Sequence, residues 1–268
     1  MNGKVVLITG ATDGIGRQTA LELAQIGHHV IIHGRNKERV QQTLNEIQLT
    51  TNNHQLSALV CDLASLKAVR KLAEEIKSKF DRLDVLINNA GIYMKKYVLT
   101  EDGFETTFAV NHLAHFLLTN LLLDLIKKSD EGRIINVSSI AHTRANFDFE
   151  NLNGKKYFDP YGAYSLSKLA NLLFTKELSY RLPGTDVTVN ALHPGVINTK
   201  LLKAGFNIEG ASVKNGAETP VYLAVSDDVK NRSGAYFVDK QITRYSKIAD
   251  DKNLTKKFWE LSETMVGL

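Results

Sequence analysis

Short apolar runs alternate with longer stretches of helical spacing along the chain, and this alternation limits the folds open to it. Between the runs, apolar residues recur three and four positions apart, as in Val40, Leu44 and Ile47, which is typical of amphipathic helices. The runs are apolar almost throughout, as in a parallel sheet covered by helices on both faces. Seven of them are predicted as strands: Val5–Ile8, His29–His33, Leu56–Val60, Val85–Ile87, Arg133–Val137, Asp186–Ala191 and one near Ala235–Val238. The sequence therefore predicts an α/β fold with a doubly wound parallel sheet of about seven strands.

The chain is predicted to form a single domain, residues 1–268. Its 268 residues are 43% hydrophobic, enough for one sizeable core, and no composition shift or Pro/Gly-rich linker marks a second domain. We expect substrate-side segments at about 141–160 and 200–215 and a C-terminal helix at about 253–265. The net charge of +4 comes from 33 basic and 29 acidic residues that are interspersed, whereas a nucleic-acid-binding protein concentrates its basic residues on one element. We therefore predict no nucleic-acid partner.

The lone cysteine and the apolar stretches bear on the compartment. Cys61 has no second cysteine to pair with, which fits a reducing environment. The first predicted strand begins at Val5, which leaves no room for a signal peptide. The apolar stretch from Leu113 to Ile126 is interrupted by polar residues and is too short to span a bilayer. We expect a cytoplasmic protein without a membrane anchor.

The turn after the first predicted strand is rich in glycine. It reads Thr9-Gly10-Ala11-Thr12-Asp13-Gly14-Ile15-Gly16, and a helix is predicted from Arg17 to Gly27. Glycines let the backbone approach a pyrophosphate closely, and a helix N-terminus offers it free N–H groups. The spacing departs from Gly-x-Gly-x-x-Gly, and a tight turn without a ligand is the alternative. Its place in the first strand-to-helix turn favours a Rossmann-type, dinucleotide-binding fold.

The end of the second predicted strand indicates which dinucleotide is bound. A carboxylate here would bond the adenosine ribose hydroxyls and repel a 2′-phosphate. The sequence instead has Gly34 and Arg35, with no acidic residue before Glu38. An arginine can make charge-assisted bonds to a phosphate, although a solvated arginine at a helix start is the alternative. We predict that NADP(H) is preferred over NAD(H).

Polar residues follow several other strands at the edge where ligands bind in open α/β sheets. Each of these groups could also be an ordinary loop or helix cap. The groups are Asp62 after the third strand, Asn88-Asn89-Ala90-Gly91 after the fourth, Ser138-Ser139 after the fifth and His193-Pro194-Gly195 after the sixth.

Tyr164 and Lys168 lie four residues apart in a predicted helix, which places both on one face. An ammonium group near a phenol favours the phenolate and should lower the tyrosine pKa towards neutral pH. Tyr236 and Lys240 have the same spacing, but in a predicted strand and loop. Only the first pair lies at the start of a helix after the fifth predicted strand, the one that Ser138 and Ser139 follow.

Taken together and in this order, the motifs resemble those of the short-chain dehydrogenase/reductase family over roughly residues 3–240. They are Thr9-Gly10-x-x-x-Gly14-Ile15-Gly16, Asn88-Asn89-Ala90-Gly91, Asn111, Ser139, Tyr164-x-x-x-Lys168 and Pro194-Gly195-x-x-x-Thr199. Within the family, the segments Asn136–His142 and Lys168–Phe174 are most similar to the branch of retinol dehydrogenases and WW-domain oxidoreductases.

The resemblance implies a role for each matching residue. Tyr164 would exchange a proton with the substrate oxygen, Lys168 would hold the nicotinamide ribose and lower the tyrosine pKa, and Asn111 would hold a relay water. Ser139 would bond the substrate oxygen, with Ser138 as the alternate. Asp62 and Leu63 would meet the adenine, Asn88 and Ala90 the adenosine side, and Ile197 and Thr199 the carboxamide. The full set implied to contact the cofactor is Gly10, Thr12, Asp13, Gly14, Ile15, Gly16, Arg35, Asp62, Leu63, Asn88, Ala90, Gly91, Tyr164, Lys168, Ile197 and Thr199.

Two segments bear on the substrate. The segment 200–210, with Leu201, Leu202 and Phe206, could close over a substrate while Gly205 and Gly210 absorb the motion. The aromatic-rich stretch between Arg144 and Pro160 could line the cleft or simply pack down. We expect an apolar cleft for hydrophobic or aromatic small-molecule carbonyls and alcohols. The stretch could also alter the surface through which relatives oligomerise, so a homo-oligomer stays possible.

Other functions remain as alternatives. The histidines, including His112 and His115, show no metal-ligand spacing, so we predict structural roles for them and no metal site. A nucleotide-sensing protein without turnover is disfavoured because Ser139, Tyr164 and Lys168 are all present. A sugar-nucleotide epimerase or dehydratase would have a different glycine spacing and a larger C-terminal region. A retinoid-type alcohol dehydrogenase is the remaining alternative.

Overall fold

The computed structural model describes residues 3–206 and 208–268, and a sheet runs through the middle of this part of the chain. Eight strands within it form the sheet in the order β3-β2-β1-β4-β5-β6-β7-β8, parallel except for the last pair. They are β1 (Val5–Ile8), β2 (His29–Gly34), β3 (Leu56–Val60), β4 (Val85–Asn88), β5 (Gly132–Val137), β6 (Val187–His193), β7 (Tyr236–Val238) and β8 (Gln241–Ile242). The doubly wound α/β fold predicted from the sequence is confirmed.

The strand predictions differ from the structure mainly at the end of the sheet. The strand expected at Asp186–Ala191 runs from Val187 to His193. The short strand β8 was not predicted, because its two exposed residues carry no period-two pattern. It pairs with β7 through a tight turn in which Asp239 and Lys240 both have positive φ, at 49° and 63°.

Helices cover both faces of the sheet. They are α1 (Gly14–Gln25), α2 (Lys37–Thr51), α3 (Leu66–Lys79), α4 (Thr106–Phe108), α5 (Ala114–Ile126), α6 (Pro160–Arg181), α7 (Lys200–Gly205), α8 (Val213–Val225) and α9 (Lys252–Val266). The first helix begins at Gly14 and not at the predicted Arg17. The cause is the Asp13 side chain, which accepts a hydrogen bond from the Gly14 N–H and so starts the helix inside the glycine-rich turn.

The core is divided by the sheet into two layers. Val6 and Ile8 of β1 point into the layer formed with α1, α2 and α8, while Leu7 points into the layer formed with α3, α5, α6 and α9. This alternation follows from the period-two geometry of a strand with both faces buried. The carboxyl ends of the strands are thereby held at one rigid edge.

The stretch Thr106–Ile126 is helical throughout, with a π-helical turn at Ala109–Leu113 between α4 and α5. At 21 residues it is long and apolar enough to cross a membrane by length and composition alone, so it exceeds the Leu113–Ile126 stretch considered from the sequence. However, 78% of its apolar window is buried inside the fold, where it packs against α3. Such burial is typical of a core helix.

Candidate active site

A cavity of about 780 Å³ opens along the carboxyl ends of the strands. This size suits a small-molecule or cofactor site, and the position is where open α/β sheets bind ligands. All but two of the predicted site residues line it: Gly10, Thr12, Asp13, Gly14, Ile15, Gly16, Arg35, Asp62, Leu63, Ala90, Gly91, Ser139, Tyr164, Lys168, Ile197 and Thr199. The two that do not are Asn88 and Asn111.

The glycine-rich turn forms a compact cradle, in which a side chain larger than glycine has no room at two positions. Gly10 has a φ of +66°, and a Cβ there would lie 2.9 Å from the Ala90 Cα. A Cβ on Gly16 would lie 2.5 Å from the Gly10 carbonyl oxygen. The N-terminus of α1 opens at the same place, so free N–H groups face the cavity. The cradle therefore fits the diphosphate of a dinucleotide.

A buried hydrogen-bond network holds this turn against the turn after β4. The Thr9 hydroxyl accepts from the Asn89 and Ala90 N–H groups at 2.9 and 3.0 Å, and it lies 2.9 Å from His115 Nε2. His115 Nδ1 lies 3.1 Å from the Asn111 carbonyl oxygen. Burial lowers the pKa of His115 to about 3, so the ring is neutral and its role is structural. No sequence signal indicated this contact, because 106 residues separate Thr9 from His115.

Asn88 lies just outside the cavity. Its side-chain N–H groups donate to Thr119 Oγ1 at 2.9 Å and to Asn136 Oδ1 at 2.8 Å. The alternation of side chains along β4 directs it between the strand and α5, so the structure does not bring it to the coenzyme site implied by the resemblance. Its neighbour Asn89 lines the cavity instead and donates to the Thr9 carbonyl at 2.8 Å.

Asn111 lies in the π-helical turn and supports the site from behind. Its Oδ1 accepts from the Ile92 N–H at 2.8 Å, and its Nδ2 donates to Ser167 Oγ at 3.0 Å. A Cβ built on Gly91 would meet both Lys168 Nζ at 3.5 Å and Asn111 Oδ1 at 3.7 Å, so the two side chains are close together. The structure therefore brings Asn111 beside Lys168, as the motif predicts.

Ser139, Tyr164 and Lys168 meet at the inner end of the cavity. Ser139 and Tyr164 line the same part of the cavity, where the Ser139 side chain acts to lower the pKa of the phenol, and Lys168 Nζ lies 5.6 Å from the centroid of the Tyr164 ring. The Ser138 hydroxyl instead donates to the Lys168 carbonyl at 2.7 Å and is buried against α6. Both serines line the cavity, but the hydroxyl of Ser138 is engaged by the Lys168 carbonyl, so Ser139 is the better placed partner for Tyr164.

In the chain alone, burial shifts the pKa values of Tyr164 and Lys168. It raises the pKa of Tyr164 to about 12, although the hydrogen bond with Ser139 acts in the opposite direction. It also lowers the pKa of Lys168 to about 8, while the ammonium donates to the Val137 carbonyl at 3.0 Å. The expected lowering of the tyrosine pKa is therefore not found in the chain alone, where desolvation of the phenolate is the largest effect and raises the pKa.

Tyr236 and Lys240, the second pair with a four-residue spacing, lie in a strand and the following turn, as the sequence indicated. Tyr236 begins β7 and is fully buried, and Lys240 lies in the following turn, where it pairs with Glu218 at 2.8 Å. Among the described residues, the Tyr236 hydroxyl has no hydrogen-bond partner. The two residues therefore do not form a catalytic pair.

Two arginines lie at the outer end of the cavity. Arg35 follows β2 and forms no ion pair with any residue that the structure describes. Gly34 before it is needed for close packing, since a Cβ there would lie 2.6 Å from Thr12 Cγ2. Arg39, which sequence reasoning missed, also lines the cavity, and its guanidinium donates to Asp13 at 3.1 Å. The position of Arg39 one turn after Arg35 was the available signal.

Aromatic side chains surround Tyr164. Tyr93 lies 5.7 Å and Phe206 6.0 Å from the Tyr164 ring, and Tyr161 lies 5.9 Å from Phe206, measured between centroids. Phe206 lines the cavity as expected, whereas Tyr93 was not identified from the sequence. A Cβ on Gly205 would lie 2.8 Å from the Tyr93 ring, so this glycine permits the close packing of α7 on Tyr93. The inner cavity is therefore mainly apolar.

The other predicted substrate-side features divide between the cavity wall and the packing around it: Leu201 and Leu202 line the cavity, whereas Gly210 and most of the aromatic-rich stretch do not. A Cβ on Gly210 would lie 2.6 Å from the Asn198 nitrogen, so close backbone packing requires a glycine there. The aromatic-rich stretch largely packs down, since Phe147 contacts Phe149 and Phe258 at centroid distances of 4.8 and 5.9 Å. From residues 141–160, only Ala141 lines the cavity.

Comparison with known proteins shows which family the chain resembles. The family profile described as short chain dehydrogenase matches residues 4–208. The chain is 44% identical to retinol dehydrogenase 14 of Mus musculus, covering 100% of this chain and 87% of that protein. It is also 44% identical to retinol dehydrogenase 13 of Homo sapiens, covering 99% and 85%.

Solved structures show the same fold. An uncharacterized protein from Mycobacterium Paratuberculosis superposes with a TM-score of 0.84 at 35% identity, covering 99% of this chain and 94% of the other. A short chain dehydrogenase from Escherichia coli CFT073, complexed with NADPH, gives a TM-score of 0.74 at 28% identity, with 90% and 98% covered.

Proposed function

The chain belongs to the short-chain dehydrogenase family of oxidoreductases, which act on CH–OH and C=O groups, and we propose that it is an NADP(H)-dependent member with Tyr164 as its acid/base. The proposed substrates are hydrophobic or aromatic carbonyls and alcohols. The observation that carries the proposal is the meeting of Ser139, Tyr164 and Lys168 at the apolar end of a cavity whose other end holds Arg35.

The chain's own residues would bind and orient the coenzyme and the substrate, and they would protonate the substrate oxygen. When bound, the nicotinamide supplies or accepts the hydride. Negative charge then develops on the carbonyl oxygen, where the Tyr164 hydroxyl gives its proton and the Ser139 hydroxyl donates a hydrogen bond. Because burial holds the pKa of Tyr164 at about 12 in the chain alone, the phenol is protonated at neutral pH and ready to act as an acid. In the reverse direction the same oxygen accepts the alcohol proton.

The preference for NADP(H) rests on the outer end of the cavity. Arg35 has no carboxylate partner among the described residues, and no acidic residue follows β2 before Glu38. A charge-assisted contact is worth roughly 1.5–3 kcal/mol, which corresponds to about ten- to a hundred-fold in affinity. The neighbour from Escherichia coli that is complexed with NADPH supports this choice.

The coenzyme preference is tested by measuring the dissociation constants of NADP⁺ and NAD⁺ for the wild type and for Arg35→Ala. The wild type should bind NADP⁺ more tightly, and the variant should lose most of this difference while its affinity for NAD⁺ stays nearly the same. Equal affinities of the wild type for the two coenzymes would refute the preference.

The acid/base assignment is tested with Tyr164→Phe, which removes one hydroxyl and little volume. Turnover should nearly disappear while coenzyme binding is largely kept. The matched control is Tyr236→Phe, which removes a buried hydroxyl outside the cavity lining and should leave most activity in place. If Tyr164→Phe keeps more than about a tenth of the wild-type kcat, corresponding to a loss below about 1.4 kcal/mol, the assignment is wrong.

The substrate class rests on the aromatic lining around Tyr164, and each well-buried apolar group of a substrate could contribute about 1.5–3 kcal/mol of discrimination. We expect kcat/KM to be higher for a long-chain or aromatic carbonyl than for a short polar one. A preference for the small polar compound would contradict the proposed class but not hydride transfer. The names of the curated relatives make retinol and retinal the second candidate, to be assayed in the same panel.

A coenzyme-sensing protein without turnover is the alternative from another class. It would bind NADP(H) but leave every carbonyl and alcohol in the panel unchanged.

We further propose that the protein works in the cytoplasm on small molecules, in keeping with its free, buried Cys61.

A further inference from the structure

We propose that Asp13 restrains Arg39 and thereby weakens the recognition of a 2′-phosphate, so that this aspartate sets how strongly the chain prefers NADP(H). The inference rests on the proposed coenzyme preference and deepens it. It concerns three charged residues that meet beside the glycine-rich turn, Asp13, Arg39 and Lys200, called the Asp13 cluster below.

The cluster joins three separate parts of the cavity wall. Asp13 belongs to the turn before α1, Arg39 to the first part of α2, and Lys200 is the first residue of α7. Both cations contact the same carboxylate oxygen: Arg39 Nη2 lies 3.1 Å and Lys200 Nζ 2.5 Å from Asp13 Oδ2. The other oxygen accepts from the Gly14 N–H at 2.8 Å. One carboxylate is therefore shared between two positive charges.

Arg39 is placed to act together with Arg35. The two are four positions apart around the start of α2, and both line the outer end of the cavity. The Asn36 side chain, which accepts from the Arg39 N–H at 2.8 Å, fixes the backbone between them. Two arginines at one end of a dinucleotide groove are suited to a phosphate, but only Arg39 is engaged by a carboxylate.

The charge balance gives the direction of the effect. A 2′-phosphate must compete with Asp13 for the Arg39 guanidinium, and it is also repelled by the carboxylate. Lys200 offsets part of the negative charge of Asp13, and the side chains of Asp13 and Arg39 are 48% and 49% exposed, so solvent weakens the pair. For an exposed pair of this kind, we expect removal of the carboxylate to tighten 2′-phosphate binding about two- to five-fold.

The test uses Asp13→Asn, because asparagine caps a helix about as well as aspartate and the start of α1 should be preserved. Binding of 2′,5′-ADP and of 5′-AMP is measured by calorimetry, since the two probes differ only in the 2′-phosphate. We expect 2′,5′-ADP to bind about two- to five-fold more tightly to the variant and 5′-AMP to change by less than about two-fold. An equal change for both probes, or no change for 2′,5′-ADP, would overturn the inference.

A double-mutant cycle assigns the effect to Arg39. In the Arg39→Gln background, Asp13→Asn should no longer improve 2′,5′-ADP binding, whereas in the Lys200→Gln background the gain should persist. If the gain survives the loss of Arg39, Asp13 acts in another way and the inference is refuted. The proposed coenzyme preference is assessed independently, from the affinities of the wild type for NADP⁺ and NAD⁺, so either idea can fail alone.

Discussion

Replacing Lys168 by methionine should stabilise the folded chain while abolishing turnover. Lys168 is only 3% exposed, and burial lowers its pKa from the ordinary 10.5 to about 8. A positive charge at this position is therefore costly to the free protein at neutral pH. Methionine has a similar length and shape and carries no charge, so it removes this cost without opening a cavity.

The size of the effect follows from the pKa of Lys168. The gap between 10.5 and about 8 corresponds to about 3 kcal/mol of unfavourable free energy for the charged form in the folded state. The substitution also removes the hydrogen bond to the Val137 carbonyl, worth about 1 kcal/mol, although Asn171 Nδ2 still lies 3.3 Å from that oxygen. A net gain of about 1–2 kcal/mol in the free energy of unfolding is expected at pH 7.

The gain should depend on pH in a defined direction. Because the pKa of Lys168 is lower in the folded chain than in the unfolded chain, the unfolded chain binds more protons between pH 8 and 10.5. The wild type therefore regains stability relative to the variant as pH rises through that window, and below about pH 8 the cost is fully present.

Urea unfolding of the wild type and Lys168→Met at pH 7 and at pH 9.5 measures both effects. Lys256→Met, at an exposed position on α9, is the control and should change stability by less than about 0.5 kcal/mol at either pH. The reasoning is refuted if Lys168→Met is less stable than the wild type at pH 7, or if the difference does not shrink at pH 9.5.

Two further predictions concern groups that support the site. Trp259→Ala should lower the free energy of unfolding by about 3–5 kcal/mol, because the Trp259 ring packs on Phe116 at 4.8 Å between centroids. The kcat of the folded enzyme should stay unchanged. Thermal unfolding and active-site titration would measure the two effects, and a loss of stability below about 1 kcal/mol would contradict the prediction. His115→Leu should destabilise the chain by about 1–3 kcal/mol, because the Thr9 hydroxyl loses a partner. The pH–rate profile between pH 5 and 8 should keep its shape, because the His115 pKa of about 3 leaves the ring neutral throughout, and a shifted profile would show that His115 titrates in catalysis.

Most of the sheet could be predicted because its central strands are buried on both faces and its outer strand β3 is still largely apolar. Runs such as Val5–Ile8 and Leu56–Val60 are apolar enough to stand out, and both have the predicted bounds in the structure. The start of α1 was missed because Gly14 and Gly16 disfavour helix on propensity alone. There the cap from Asp13 and the close packing of Gly16 against Gly10 and Asn89 outweigh propensity, and propensity alone shows neither of them.

The site could be predicted only where motifs mark it. Ser139 and Tyr164 follow from spacing and order, whereas no motif includes Tyr93, Arg39 or His115, and only Arg39 had a signal, its position one turn after Arg35. Each of these three acts through a partner far away in the chain, such as Arg39 with Asp13, 26 residues away. Spacing along one element reports which residues share a face, but it does not report contacts between elements.

The pKa of Tyr164 shows that residue spacing also fails to predict energies that depend on burial. The four-residue spacing to Lys168 correctly indicates that the ammonium is near the phenol, 5.6 Å from its ring centroid. It carries no information about how much water is excluded from both groups. In the chain alone, burial moves the two pKa values towards the neutral forms, to about 12 for the phenol and about 8 for the ammonium. A neutral phenol beside a readily deprotonated lysine suits proton delivery to a substrate oxygen, because the proton that leaves Tyr164 can be replaced from Lys168 without creating a new buried charge.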